Sequence, residues 1–277
     1  MREKKKSSLV LSKDILEYIL LYIKNNIYLR FVNKYFGNLY YEITMWSNRI
    51  KYITSYNLKI TKIILDKECS YLDKNRLLHL QTLECNDNEI IEGNNFSNVT
   101  SLRILNCGKN KLFADEDIEN MKQLRILMCG KNKNITGKNF KNFAFLRELY
   151  CDDNNSIIDD NLKSLILLEI LDCGKNTKIT DEGIKNLKYL RELYSGDNRN
   201  FTNNGIKDLK LLQILNCDGN TNIDNDGLKH LMFLRELYCK NVNCTNDIFF
   251  NLKNLSVIDR GDRVSLKVFS ISFKEYI

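Results

Sequence analysis

The 277-residue chain predicts an α/β solenoid of about eight strand–turn–helix units stacked in register, preceded by a small helical segment. Three observations carry that expectation. First, a nine-residue pattern recurs as LQTLECNDN at 80, LRILNCGKN at 102, LRILMCGKN at 124, LRELYCDDN at 146, LEILDCGKN at 168, LRELYSGDN at 190, LQILNCDGN at 212 and LRELYCKNV at 234, always 22 residues apart. Second, two periods coexist inside one unit. Leu171 and Cys173 alternate with outward residues as in a strand, whereas Ile184 and Leu187 show the i, i+3 spacing of a helical turn, and Leu168 and Ile179 complete the apolar set. Third, a composition of 43% apolar and 28% charged residues suits a folded chain, yet no single unit can bury its own apolar edge, so the units must stack.

From the N-terminus, residues 1–8 (MREKKKSS) read as a basic disordered tail. Residues 1–59 hold 11 Lys/Arg and 4 Asp/Glu, which leaves 31 of each for the rest, so the whole +7 surplus lies in the first fifth. No basic face is implied for the larger part, and no nucleic-acid partner is expected. Residues 9–57 form a helical segment and linker. Leu11, Ile15, Leu16, Ile19, Leu20 and Ile23 make one apolar stripe with Ser12 as N-cap, and residues 29–43 repeat the pattern with Val32, Tyr35, Phe36 and Leu39. No apolar run is long enough to span a bilayer, no secretory signal is visible, and the expectation is an intracellular, cytoplasmic protein with no membrane partner. With 37 Asn, two Ala and no Pro, the composition resembles translated AT-rich DNA, as of a large virus or a protist.

The repeats occupy residues 58–254, and ITKIILDKE at 60 serves as an opening strand. Cys85, Cys107, Cys129, Cys151, Cys173, Cys217 and Cys239 all stand at position 6 of their units, with Ser195 in the remaining slot. No CxxC pair exists, so the column reads as small, reduced, buried filler with no metal and no cofactor; Cys69 and Cys244 fall outside it. Position 9 is Asn88, Asn110, Asn132, Asn154, Asn176, Asn198 and Asn220, an amide column able to satisfy loop N–H and C=O groups in its own and adjacent units. Val242 replaces it where regular stacking should end. Gly108, Gly130 and Gly174 sit where the chain leaves the strand, and Thr180 and Asp181 are N-cap types before a helix. Residues 255–277 hold a degenerate unit, LSVIDRGDR, and an alternating stretch, VSLKVFSISF (264–273), expected to cap the open edge.

On these residues the stretch 60–277 resembles the leucine-rich repeat family, which implies a horseshoe solenoid. ITDEGIKNL (179–187) is similar to the cysteine-containing subclass often joined to F-boxes, though a 22-residue unit is short for it and leaves open α-helix or 3₁₀ turns on the convex side. Residues 11–39 resemble an F-box through Leu11, Asp14, Ile15, Leu16, Ile19, Val32, Asn33, Lys34 and Phe36, with Ser12 in place of the usual proline. That resemblance implies docking of Leu11, Ile15, Leu16, Ile19, Val32 and Phe36 on the acidic adaptor of a cullin-based ubiquitin ligase. The alternative is a plain helical cap over the first repeat.

No nucleophile with its base, metal set or phosphate loop is visible, and His79 and His230 lie far apart, so no enzyme is expected. A solenoid binds on its concave face, here positions 3 and 5 of each strand. From 146 onward these alternate with a 44-residue superperiod: Glu148/Tyr150, Glu192/Tyr194 and Glu236/Tyr238, each preceded by Arg147, Arg191 or Arg235. Duplication of a two-repeat unit explains the alternation without function; as a binding stripe it offers amphipathic anchors and charges that set register. The function expected is a substrate-recognition subunit tethering a protein target to the ligase, or alternatively a stand-alone binding or inhibitor module.

Overall fold

A computed structural model describes residues 40–45, 59–65, 77–86, 88–240, 242–245, 247–261 and 266–267. The F-box-like positions Leu11, Ile15, Leu16, Ile19, Val32 and Phe36 lie outside the described residues, as does most of 264–273. Among the described residues twelve strands form one sheet in chain order: β1 Tyr40–Met45, β2 Lys59–Leu65, β3 Thr82–Glu84, β4 Ile104–Asn106, β5 Ile126–Met128, β6 Glu148–Tyr150, β7 Ile170–Asp172, β8 Glu192–Tyr194, β9 Ile214–Asn216, β10 Glu236–Tyr238, β11 Val257–Asp259 and β12 Leu266–Lys267. All neighbours are parallel except β12, which runs antiparallel to β11. Register follows the repeat without slip from β3 to β11: Leu83, Leu105, Leu127, Leu149, Leu171, Leu193, Leu215, Leu237 and Ile258 are successive partners. β1 takes over the end of the segment expected to be helical over 29–43; its six residues pair along β2, with one register shift after Tyr41.

Each three-residue strand from β3 to β11 is buried at its centre and half-exposed on either side, the pattern a sheet makes with one face on a core. The apolar positions of the unit all close inward: Leu168, Leu171, Cys173, Ile179, Ile184 and Leu187 are 0% exposed. At roughly 2 kcal/mol per fully buried aliphatic side chain, this repeated stripe is the main force that stacks the units. Aromatics fill part of the core, Phe96 on Phe113 with ring centres 5.6 Å apart and Phe140 beside Phe143 at 5.9 Å.

The side opposite the sheet mixes both helix types that the unit length left open. One-turn α-helices span Asp115–Ile118, Asp159–Leu162, Asp181–Ile184, Asn203–Ile206, Asn225–Leu228 and Ile248–Asn251, whereas Gly93–Phe96 and Phe140–Asn142 are 3₁₀. Thr180 is an N-cap as its residue type suggests, its Oγ1 accepting from the Glu182 N–H at 3.2 Å, and Thr202 and Asp224 cap their helices likewise.

Two side-chain ladders tie unit to unit. In the first, the amide of Asn154 donates to the carbonyls of Asn132 (2.6 Å), Ile135 (3.0 Å) and Cys129 (3.3 Å) while its Oδ1 accepts from the Ser156 N–H (3.1 Å). Asn110, Asn132, Asn176, Asn198 and Asn220 do the same toward the unit before them, and all are buried. The second ladder is a reciprocal exchange of bulk that the sequence reading did not foresee. Asp159, Asp181 and Asn203 accept from the N–H of Thr180, Thr202 and Asp224 in the next unit at 2.7, 2.8 and 3.0 Å. In those next units Gly183, Gly205 and Gly227 make room, for a Cβ there would lie 2.5, 2.0 and 2.4 Å from the same side chains. Where the first unit has Gly93 or Gly137 instead, the next carries Asp117 or Asn161, which reaches back to the N–H of Ala114 or Ile158.

The turn after each of the strands β4 to β9 carries one left-handed residue. The left-handed residue is the one after Gly108, Gly130 and Gly174: Lys109, Lys131, Asp153, Lys175 and Asp197 have φ between 53° and 61°, and Gly219 has 72°. Its N–H bonds to a carbonyl of the following unit, as Lys175 to Gly196 at 2.9 Å, and that recurring bond stabilises a conformation costly for non-glycine residues. Glycine at 130 answers a close approach instead, since a Cβ there would lie 2.0 Å from Asp152 Oδ1.

Candidate protein-binding face

Positions 3 and 5 of β3 to β11 form the exposed face of the sheet, the concave side in the solenoid reading. Six carboxylates stand there, Glu84, Glu148, Asp172, Glu192, Glu236 and Asp259, with no Lys or Arg at the same positions in these strands. Between them run the aliphatic Ile104, Ile126, Ile170, Ile214 and Val257.

The three Glu–Tyr pairs share one geometry. Tyr150 Oη donates to Glu148 Oε2 at 2.9 Å, Tyr194 to Glu192 at 2.8 Å and Tyr238 to Glu236 at 2.9 Å. The bond links residues two apart on one strand face, so strand pleat alone brings them together. It holds each ring in one orientation. Partial burial first, then the carboxylate partner, raises the Tyr150 and Tyr194 hydroxyls above the ordinary tyrosine range; for Tyr238 the hydrogen bond to Glu236 is the leading cause. All three hydroxyls are therefore neutral donors at neutral pH. They occur on β6, β8 and β10, two strands apart, or ~10 Å.

The arginines expected beside this stripe pair elsewhere. Arg147 Nη1 lies 2.9 Å from Glu169 Oε1 and 3.4 Å from the Leu167 carbonyl, and Arg191 Nε is 3.6 Å from Glu169 Oε2. Glu169, which sequence reasoning passed over, bridges the two along the edge where the chain enters the strands. Its signal was present: position 2 is Arg in both flanking units and Glu between. Partly exposed, this triad adds little stability, but it fixes two guanidinium groups beside the face. Arg235 stands at the same position of its unit. At the end of the preceding units, positions 21 and 22, the exposed Phe145, Ile166, Tyr189, Met232 and Phe233 add apolar surface that sequence reasoning also missed.

Toward the other edge, a shallow depression of about 290 Å³ is bordered by Met128, Gly130, Tyr150, Asp152 and Asp172. Burial, reinforced by Asp152, raises the Asp172 carboxyl above its usual range, opposed by a hydrogen bond from the Gly174 N–H at 3.1 Å. Among the described residues no three His, Cys, Asp or Glu side chains gather as a metal site, and no helix is long and apolar enough to cross a membrane.

The cysteine column is buried, with Cys85 and Cys217 donating to the Asn106 and Tyr238 carbonyls at 3.3 and 3.5 Å. Burial pushes the Cys107 thiol up to about 12 and raises Cys85, Cys129, Cys151, Cys173 and Cys217 likewise. Ser195 keeps the pattern, donating to Asn216 O at 2.9 Å.

No protein-family model matches the chain, and no curated protein sequence matches it. Solved structures do. An internalin (InlF) from Listeria monocytogenes strain 4b F2365 superposes with a TM-score of 0.57 at 20% identity, covering 89% of this chain and 88% of that one. Internalin C2 from the same strain reaches a TM-score of 0.48 at 21% identity, over 67% of this chain and 73% of that one. At such identity the likeness concerns fold alone; with the unbroken 22-residue register and the one-sided parallel sheet, it makes this chain a leucine-rich repeat solenoid.

Proposed function

We propose that the chain is a protein-binding module that takes a polypeptide target across β6 to β10. The observation that carries this reading is the threefold Glu–Tyr pair, repeated every second strand on the exposed sheet face with its hydroxyl geometry fixed. Large amphipathic rings already held in place lose little entropy on binding, and interface hot spots are enriched in such residues. The acidic face selects a target segment with cationic or N–H-rich side chains, and Ile170 and Ile214 between the tyrosines accept aliphatic groups. The finer form of the proposal is a substrate receptor whose residues 11–39 dock on a ubiquitin-ligase adaptor, in the cytoplasm. It is supported by the F-box resemblance and by the common joining of F-boxes to leucine-rich repeats.

Affinity capture followed by binding measurements with the purified partner tests both levels. Tyr194→Ala should weaken target binding by roughly 2 kcal/mol, about thirtyfold, with Tyr150→Ala and Tyr238→Ala costing less. Lys185→Ala and Lys207→Ala on the helical side should leave affinity unchanged. Normal binding by all three tyrosine variants, with loss in the lysine variants, would place the site on the other face. Ile15→Lys with Leu16→Lys should abolish adaptor capture without shifting the melting of the repeats; if melting collapses instead, the segment is a cap and the module stands alone.

A further inference from the structure

The column of inert thiols has one exception, at its C-terminal end. Cys239 Sγ lies 3.3 Å from Cys244 Sγ, and Cys244 is the one described cysteine that is not buried. The loop carrying Cys244 is pinned on both sides. Asn243 pairs with Asp224 as a parallel bridge and donates to the Thr221 carbonyl at 3.1 Å, and the Thr245 N–H donates to Asn225 Oδ1 at 3.1 Å. Cys239 is fixed by its own N–H to Asp259 O at 2.8 Å, the bond that brings β11, and with it Arg260, beside the pair.

We propose that Cys239 and Cys244 form a peroxide-oxidisable dithiol, in which half-exposed Cys244 is the attacking thiol and buried Cys239 the resolving one. Cys244 meets both needs of an attacking thiol, access and activation. The hydrogen bond from Cys239 is the main cause that lowers its pKa, with help from the Arg260 charge and against the opposing effect of burial; the same contact raises Cys239. In the first step the Cys244 thiolate attacks one oxygen of a hydroperoxide such as H2O2. An S–O bond forms and the O–O bond breaks, leaving a sulfenic acid and hydroxide, which takes up the proton Cys244 gave up on ionising. In the second, Cys239 sulfur attacks the sulfenic sulfur; the S–S bond forms, the S–O bond breaks, and the thiol proton leaves with the hydroxyl as water. Two thiols and one H2O2 give one disulfide and two waters, with both sulfurs oxidised and the peroxide oxygens reduced. Closure to bonding distance needs a shift of little more than an ångström between sulfurs already in contact. The bond would tie the loop after β10 directly behind Tyr238.

The test is peptide mapping of the full, reduced chain after stoichiometric H2O2, with free thiols alkylated before digestion. The expected product is a linked Cys239–Cys244 peptide while Cys85, Cys107, Cys129, Cys151, Cys173 and Cys217 stay reduced. Cys239→Ser should accumulate a sulfenic acid on Cys244 that dimedone captures, Cys244→Ser should lose oxidation at Cys239, and Arg260→Gln should slow alkylation of Cys244 several-fold at neutral pH. Cys244 remaining a free thiol, a sulfenic or sulfinic acid persisting on Cys244 in the unsubstituted chain, or a disulfide only between two chains would each overturn the proposal. If a variant fails to melt like the unsubstituted chain, the map of the latter alone decides.

Discussion

The middle of the array and its C-terminal end are built from the same 22-residue unit but are held differently. Between residues 102 and 220 every unit hands its neighbour an amide, as Asn154 does to three carbonyls, and every thiol is sealed behind the next strand. At 234–261 the amide is gone, with Val242 half-buried in its slot. Without a regular unit beyond it, Cys239 faces Cys244 instead of a sealed interface. A repeat thus obtains its rigidity from the next unit, and chemistry emerges where the next unit is imperfect.

Breaking the middle should show the largest effect. Asn154→Ala removes one donor from the carbonyls of Cys129, Asn132 and Ile135 and the acceptor of the Ser156 N–H, and should cost about 3 kcal/mol in denaturant unfolding, whereas Val242→Ala should cost about 1 kcal/mol or less. Equal costs would mean the amide ladder contributes nothing beyond packing. A smaller loss is expected from Gly205→Ala, roughly 1 to 3 kcal/mol, because the new methyl would meet an Asp181 carboxylate held by the Thr202 N–H and hydroxyl at 2.8 and 2.6 Å. The cost should shrink in an Asp181→Ala background, and a double-mutant cycle that came out additive would separate the two residues. The smallest change should be Ser195→Cys, within about 0.5 kcal/mol, since a thiol fits the column and can direct its S–H to the same Asn216 carbonyl. A loss above that would show that the hydroxyl bond, absent from the other slots, has become structural.

Much of this could be read in advance because the repeat turns distant contacts into periodic ones. The buried positions, the one-sided strands, the N-caps at Thr180 and the reach of the asparagine amides into adjacent units all follow from identical units related by a translation of 22 residues. The glycine exchange between Asp181 and Gly205 was legible too, as a covariation of positions 14 and 16 across neighbouring units, but only once the structure showed which positions face each other. Residues 40–43 misled because their apolar spacing continues a helical pattern, whereas β1 gains six paired residues along β2.

What the sequence by itself determined is therefore the unit: its length, its strand, its buried face and its parallel register, each imposed by local periodicity repeated until stacking is the only way to bury the apolar edge. The tertiary structure alone decided the contacts that break the period. It also decided that Glu169, flanked in register by Arg147 and Arg191, pairs with both, because long side chains at the edge choose among several neighbours by reach. Cys244 meets Cys239 from five positions further along the chain, and Arg260 arrives beside them only because β11 pairs with β10. Such contacts depend on where two chain segments come to rest relative to one another, and a repeat pattern has no information about them at the place where it ends.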